Sequence, residues 1–281
     1  MADQDFFYLT ETPNEWLVLL ADVDRLNDEL NQLKKSMPEN ANLWQTITEK
    51  LRATWTYHSN ALEGSTLSLG ETIFFLREGL TIQGKPFKDF ADAKNHAQAI
   101  DYLFDIVADR RVISENLIKE INALLLQGVH STPAKTLLGQ AVNKPLRAGE
   151  YKILPNHVLK QDGTIHKYVE PEQVSPQMQQ LVDYINNAIS VHPIIRSAVA
   201  HYNMVRIHPF DDGNGRGARL LMNLILIKAG YFPAVVKNEE KFRYLETLNQ
   251  ADQGDISVFI RFILTQLKNT LQNVIDDLNK L

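Results

Sequence analysis

The stretch "IHPFDDGNGRGAR", residues 207–219, gathers one His, two Asp, one Asn, two Arg and three Gly directly ahead of an apolar run, "LLMNLILIKAG". Gly213 and Gly215 permit positive φ and close approach of a ligand to the backbone, and Asn214 between them tolerates the left-handed region. A helix starting near Arg216 aims its unpaired N–H groups and positive dipole end into that loop, which makes an anion site, most often one for phosphate. Arg216 and Arg219 are three apart on the first turn, and two guanidinium forks suit two phosphate groups of one polyphosphate. Asp212 has the chemistry of a hard-cation ligand, because Mg²⁺ is held by one or two carboxylates together with substrate phosphates. His208 is the base of the stretch that works at neutral pH. Anion cradle, metal ligand, charge neutralisers and base together describe phosphoryl or nucleotidyl transfer to a hydroxyl. The spacing is not that of a Walker A loop.

The elements that must carry this loop read mostly as helix. "NEWLVLLADVDRLNDELNQLKK" puts Trp16, Leu19, Leu20, Val23, Leu26 and Leu30 on one stripe. "ANLWQTITEKLRATWTYHSNALEG" follows and stops at Gly64, a residue suited to the position after a helix. Helical patterns continue over roughly 70–79, 88–109, 114–128, 175–191, 193–206, 216–229, 239–251 and 255–279. One segment differs: "YKIL" and "TIHKYV" flank Asp162-Gly163, and Asp-Gly between β-prone runs signals a hairpin. The expected architecture is mainly α, a helical bundle with a small β-hairpin. No repeat or Pro/Gly-rich linker marks a firm boundary.

At 281 residues, 44% hydrophobic and 22% charged, the chain has ample material for a core. A net charge of −5 without a basic stripe argues against a nucleic-acid partner. The absence of cysteine excludes disulfides, thiol nucleophiles and Cys-ligated zinc. "MADQDFFYLTETPNEW" lacks the basic and apolar regions of a secretory signal, and the apolar run from Leu220 to Ile227 is too short for a membrane span. A soluble, cytoplasmic protein is the expectation.

"SNALEG" raises a separate question. Glu63 sits just before Gly64, hence in the last turn of its helix, where the dipole disfavours a negative charge by a few tenths to about 1 kcal/mol. Such a carboxylate is either exposed and tolerated or compensated by a cation elsewhere. Ser59 lies four residues earlier on the same face.

"HPFDDGNGR", with Arg219 three further on, resembles the Fic family signature H-x-F-x-[DE]-G-N-G-R-x-x-R. His208, Phe210, Asp212, Gly213, Asn214, Gly215, Arg216 and Arg219 match every specified position. The similarity extends over roughly residues 50 to 270. The resemblance implies a helical Fic-type bundle and an AMP transferase that acts on Ser, Thr or Tyr hydroxyls of a target protein, with ATP and Mg²⁺. His208 would be the base, and Asp212 would hold the metal. Gly213, Asn214 and Gly215, with the Asn214 side chain, would form the anion hole. Arg216 and Arg219 would contact the β- and γ-phosphates, and Phe210 would anchor the loop in the core. Residues 147–170 resemble the family's flap, so that Tyr151, Lys152, Ile153 and Leu154 would form a strand that pairs with the target. Tyr244 falls where an aromatic lies against adenine, or else it is a core tyrosine.

Ser59, Glu63 and Gly64 likewise fit the family's inhibitory motif [ST]-x-x-x-E-[GN], which implies that Glu63 pairs with Arg219 and weakens or misaims ATP. The implied organisation is an N-terminal helical region over 1–112 with the inhibitory helix at about 43–64, a catalytic core over 113–250 and a C-terminal helix over 251–281. A homodimer that stabilises the inhibitory helix is a further expectation. Other readings stay open at this point: AMP removal by the same site, a different nucleotide or phosphate donor, a metal-dependent hydrolase using His201, His208 and Asp212, or a non-catalytic interaction module.

Overall fold

A computed structural model describes residues 8–36, 42–135, 140–159 and 163–280. Among them the chain forms ten α-helices: α1 (Leu17–Ser36), α2 (Asn42–Leu62), α3 (Leu69–Glu78), α4 (Phe87–Ala108), α5 (Glu115–Leu125), α6 (Pro171–Asn187), α7 (Pro193–Ile207), α8 (Asn214–Lys228), α9 (Lys241–Asp252) and α10 (Ile256–Asn279). Two antiparallel pairs interrupt them between α5 and α6: β1 (Ser131–Lys135) with β2 (Ala141–Pro145), and β3 (Val158–Leu159) with β4 (Ile165–His166).

The apolar run after the glycine loop becomes α8, which is buried almost all round from Asn214 to Leu226. A helix buried on every side belongs at the centre. α7 packs along it, α4 and α5 flank it, and α2 crosses near its start. On one side Met222 and Leu226 join an apolar cluster that runs from Trp16 and the α1 stripe Leu20, Val23, Leu26 and Leu30 to Leu278 of α10. Leu19 faces outward, 40% exposed, so the buried stripe is narrower than the sequence pattern. On the other side Leu220, Leu221 and Leu224 join a second cluster with Ile100 and Leu103 of α4, Leu117 of α5 and Leu181 of α6. No described helix is long and apolar enough to cross a membrane.

The segment before α6 departs from expectation. Tyr151, Lys152, Ile153 and Leu154 form no strand; the pairing is Val158 with His166 and Leu159 with Ile165. Lys152 gives its backbone N–H to Pro209 O at 2.8 Å and buries its side chain, so this stretch is tied to the glycine loop instead of a neighbouring strand. Asp162 lies outside the described residues. β1 and β2 carry no strand signal in the sequence, since "STPAK" and "AVNKP" lack apolar alternation and carry prolines. α6 starts at Pro171, four residues ahead of expectation, with proline at its first position where the missing N–H costs nothing.

One polar residue inside α8 has a structural task. Asn223, fully buried, donates through Nδ2 to Ala234 O (3.2 Å) and accepts from Ala234 N–H (2.8 Å), pinning the segment after α8 onto it. Asn223→Leu leaves both backbone groups buried without partners. We predict a loss of about 2–4 kcal/mol in urea unfolding; a loss below ~0.5 kcal/mol would mean that water replaces the amide.

Candidate active site

α7 ends at a strained residue. His208 closes its N–H on Met204 O (3.1 Å) and adopts φ 52°, ψ 58° immediately before Pro209. Positive φ is uncommon for a side-chain-bearing residue, and a following proline disfavours helical geometry further. Such a conformation persists only where the surroundings impose it. Here three amide side chains do so. Asn156 Nδ2 donates to His208 O (3.3 Å) and Phe210 O (2.8 Å). Asn214 accepts from Phe210 N–H (2.9 Å) and donates back to Phe210 O (2.8 Å). Asn122 donates to Asp212 O (3.0 Å) and accepts from Gly149 N–H (2.9 Å). Phe210 buries its ring in the core. Both ends of the Asn214 side chain are therefore fixed on Phe210, which sets the orientation of the amide and leaves its second N–H as a further donor.

His208 Nδ1 lies 3.3 Å from Val205 O, a contact that places the proton on Nδ1 and leaves Nε2 as the acceptor. Burial, and then the Lys152 ammonium, push its pKa down to about 3. The imidazole is therefore neutral at physiological pH, the form a general base needs.

Asp212 accepts Gly213 N–H at 2.5 Å on one oxygen and faces Thr132 Oγ1 at 3.4 Å with the other. About a third of its side chain (32%) is open to solvent. Among the described residues no group of three or more His, Asp or Glu side chains converges as a metal cage. A single oriented, accessible carboxylate fits a cation whose remaining ligands come from phosphate and water. Its neighbour Asp211 is instead buried against Lys144 at 2.5 Å.

α8 starts from Gly213 at φ 77°. Arg216 points not into open space but at Asp92 of α4, 2.6 Å away and shared with Lys88. Its Nη2 lies 3.8 Å from Asp212, and its buried Nε has no hydrogen-bond partner. Arg219, 2% exposed, is enclosed by α2: Nε donates to Ser59 Oγ (3.1 Å), Nη2 to Ser59 O (2.8 Å) and Glu63 Oε1 (2.7 Å), and Nη1 reaches Tyr244 Oη at 3.5 Å.

The end of α2 explains why Glu63 is there. Ser65 N–H reaches back to Asn60 O and Gly64 N–H to Ala61 O, both at 3.0 Å, with Gly64 at φ 95°. This is the Schellman cap, and its left-handed position suits glycine or asparagine. It turns the Glu63 side chain towards the start of α8, so close that a Cβ on Gly215 would lie 2.3 Å from Oε1. A carboxylate at the unfavourable end of its own helix thus stands at the favourable end of another. Burial alone would raise its pKa, but Arg219, and more weakly Arg216 and His208, bring the net shift downward. The side chain remains 44% exposed.

Tyr244 lies in the core against Phe259 and Phe262, with its hydroxyl 3.0 Å from His201 Nε2. Its ring is packed in the core, while its hydroxyl also borders Arg219. The same contact turns His201 towards Tyr244 and Phe259 and away from a metal set with Asp212.

The Fic/DOC family profile matches residues 112–226. A crystal structure of a Fic domain-containing signaling protein from Bacteroides thetaiotaomicron superposes with a TM-score of 0.79, at 30% identity, over 92% of this chain and 97% of that one. The chain belongs to the Fic family. Protein adenylyltransferase fic-1 of Caenorhabditis elegans is 31% identical over 92% of the chain and 47% of its own length. Protein adenylyltransferase Fic of Nematostella vectensis is 34% identical over 76% of the chain and 47% of its own length. This Fic chain thus spans about half the length of the curated relatives it matches. The mainly helical fold with its small hairpins agrees with these neighbours.

Asn122, Asn156 and Asp92, which hold the Fic loop and its first arginine, were not singled out from the sequence. They lie 52 to 124 residues from their partners, and no local pattern marks them.

A methyl group at Gly215 would collide with Glu63 Oε1. In unfolding measurements the cost of Gly215→Ala should therefore shrink by roughly 0.5–3 kcal/mol when Glu63 is already Ala. An additive cycle would show that the carboxylate does not rest against α8.

Proposed function

We propose that the protein is an adenylyltransferase that moves AMP from ATP to a Ser, Thr or Tyr hydroxyl of another protein and is held in check by Glu63. The observation that carries this reading is the convergence of a neutral His208, an open Asp212 and the start of α8 on one loop. In the reaction the target oxygen bonds to the α-phosphorus, the bond to the β-phosphate breaks, and pyrophosphate leaves with that electron pair. His208 Nε2 takes the hydroxyl proton. The N–H groups at the start of α8 face the phosphates, stabilising charge that develops there. Asp212 would hold Mg²⁺, which arrives with ATP and neutralises phosphate charge. Arg216 would offer Nε and Nη2, its Nη1 being fixed by Asp92. Arg219 would meet the γ-phosphate once Glu63 is displaced.

Inhibition follows from competition for one guanidinium. Glu63 holds Arg219 Nη2 at 2.7 Å and lies against Gly215, so its charge stands beside the N–H groups that an incoming phosphate needs. The same carboxylate is among the charges that act on His208. This proximity favours, as a second reading, its placing a water for AMP removal from a modified protein.

With Mg²⁺ and α-labelled ATP, wild type should transfer little label to itself or to proteins of a cell extract. Glu63→Gly should raise transfer by at least ~10-fold, and adding His208→Ala should abolish it, since a positioned base contributes about 10²–10⁴-fold. A depressed histidine pKa keeps the base form until pH falls through the folded value. The kcat/KM of Glu63→Gly should accordingly show no acid limb near pH 6.5, the ordinary histidine value. Transfer that persists without His208 would refute the role of the base. Loss of AMP from a modified protein by wild type but not by Glu63→Gly would favour the second reading.

A further inference from the structure

The strap between the first hairpin and α6, described over 152–159 and 163–168, exposes Ile153, Leu154, Val158 and Ile165. Tyr168 is turned onto the His208 ring, and Lys152 is buried against Asn156 and the end of α7. We propose that Tyr168 and Lys152 are positioning residues for His208, the phenol ring fixing the plane of the imidazole and the ammonium fixing the backbone beneath it. The proposal rests on His208 being the base of the reaction above.

The two residues act on different parts of His208, ring and backbone, and also meet each other. The Tyr168 ring stacks on the His208 ring at 3.7 Å between centroids and 14° between planes. A face-to-face contact blocks rotation of the imidazole about its χ2 bond while leaving its edge, and hence Nε2, free. Tyr168 is itself held from several directions. Its N–H donates to His157 Nδ1 (3.2 Å), and His157 Nε2 lies 3.3 Å from Glu170. The His166 ring meets it edge-on at 4.6 Å, and Lys152 Nζ stands 5.9 Å above it.

Lys152, 2% exposed, donates from Nζ to Asn156 Oδ1 (2.7 Å) and to Ile207 O (3.5 Å). An ammonium can only donate. It therefore fixes the Asn156 amide with its oxygen towards Lys152 and its NH₂ towards His208 O and Phe210 O. It also caps a carbonyl at the end of α7, where the helix dipole favours a cation. Its own backbone N–H holds Pro209 O at 2.8 Å. Lys152 and Asn156 together support the carbonyls of residues 207 to 210. This is what a left-handed residue before proline requires. The charged groups that act on His208 are Lys152 from the strap, His166 from β4 and Glu63 from the end of α2; Lys152 opposes protonation and Glu63 favours it.

Orientation of a base matters steeply: a misplacement of about 1 Å costs on the order of 10²-fold in rate. The test uses Glu63→Gly as background and adds Tyr168→Ala, Tyr168→Phe or Lys152→Met. Single-turnover AMP transfer and the KM for ATP are measured, together with NMR of isotope-labelled histidine, which needs no turnover. Tyr168→Ala should lower kcat by ~10- to 100-fold with KM within about 2-fold, and the His208 ring signals should lose their ring-current shift. Tyr168→Phe keeps the stack and should recover most of the rate and the shift. Lys152→Met should lower kcat comparably and move the His208 titration upward. Should Tyr168→Ala lose its circular dichroism spectrum, Tyr168→Leu takes its place with the same expectation.

An unchanged or raised rate in Tyr168→Ala would overturn the proposal, the latter making Tyr168 a gate over the base. A change confined to KM, or a Tyr168→Phe protein as impaired as the alanine variant, would also overturn it. Should His208→Ala still transfer AMP, the reading of the base fails instead, while the NMR readout still reports on the stack.

Discussion

Arg219 carries five N–H donors into a site where only 2% of the residue reaches solvent, and a buried guanidinium without partners costs several kcal/mol. α2 supplies most of what it needs. Ser59 gives a hydroxyl and a carbonyl near the end of its helix, and Glu63 gives a carboxylate. Tyr244 continues the network to His201. The negative dipole end of α2 thus meets Arg219, while the positive end of α8, with its unpaired N–H groups, faces Glu63. Removing Glu63 leaves Arg219 held by Ser59 and Tyr244 but short of an anion. On the proposed reading, a nucleotide is the replacement for a carboxylate already in place.

The loop itself is prepared independently of that clasp. Asn122, Asn156 and Asn214 fix its carbonyls, Lys144 holds Asp211, and Asp92 holds Arg216. Each joins the loop to a different part of the chain: Asn122 to α5, Asp92 to α4, Lys144 to β2, and Asn156 to the strap. A site held this way needs little reorganisation when charge develops. The left-handed His208 is the strained point, and its neighbours give it one orientation.

The glycine loop, the buried helix behind it and the Glu63–Gly64 helix end were legible because each rests on local chemistry: positive φ, an all-round apolar helix and a left-handed cap. The Glu63–Arg219 pair itself followed from a resemblance, since 156 residues separate the partners. What failed to show in the sequence depends on distant partners. "YKIL" has strand composition, yet Lys152 is drawn under the loop. Tyr244 could face a nucleotide or the core, and its burial against Phe262 follows from the packing of α9 on α10, which no local pattern shows. Asn214 reads as an anion-hole amide, and nothing local shows that Phe210 fixes its orientation through both atoms. Tyr168 carries no motif, and only the folded strap places it on His208.

Competition between Glu63 and a terminal phosphate for Arg219 is tested directly by calorimetry with two nucleotides. ATP and AMP are each titrated with Mg²⁺ into wild type and Glu63→Gln. AMP lacks the phosphate that would reach Arg219. The substitution should tighten ATP by ~10-fold or more, about 1.4 kcal/mol, and AMP, which meets only the α8 N–H groups, by clearly less. An equal gain for both nucleotides, or none for ATP, would contradict that competition.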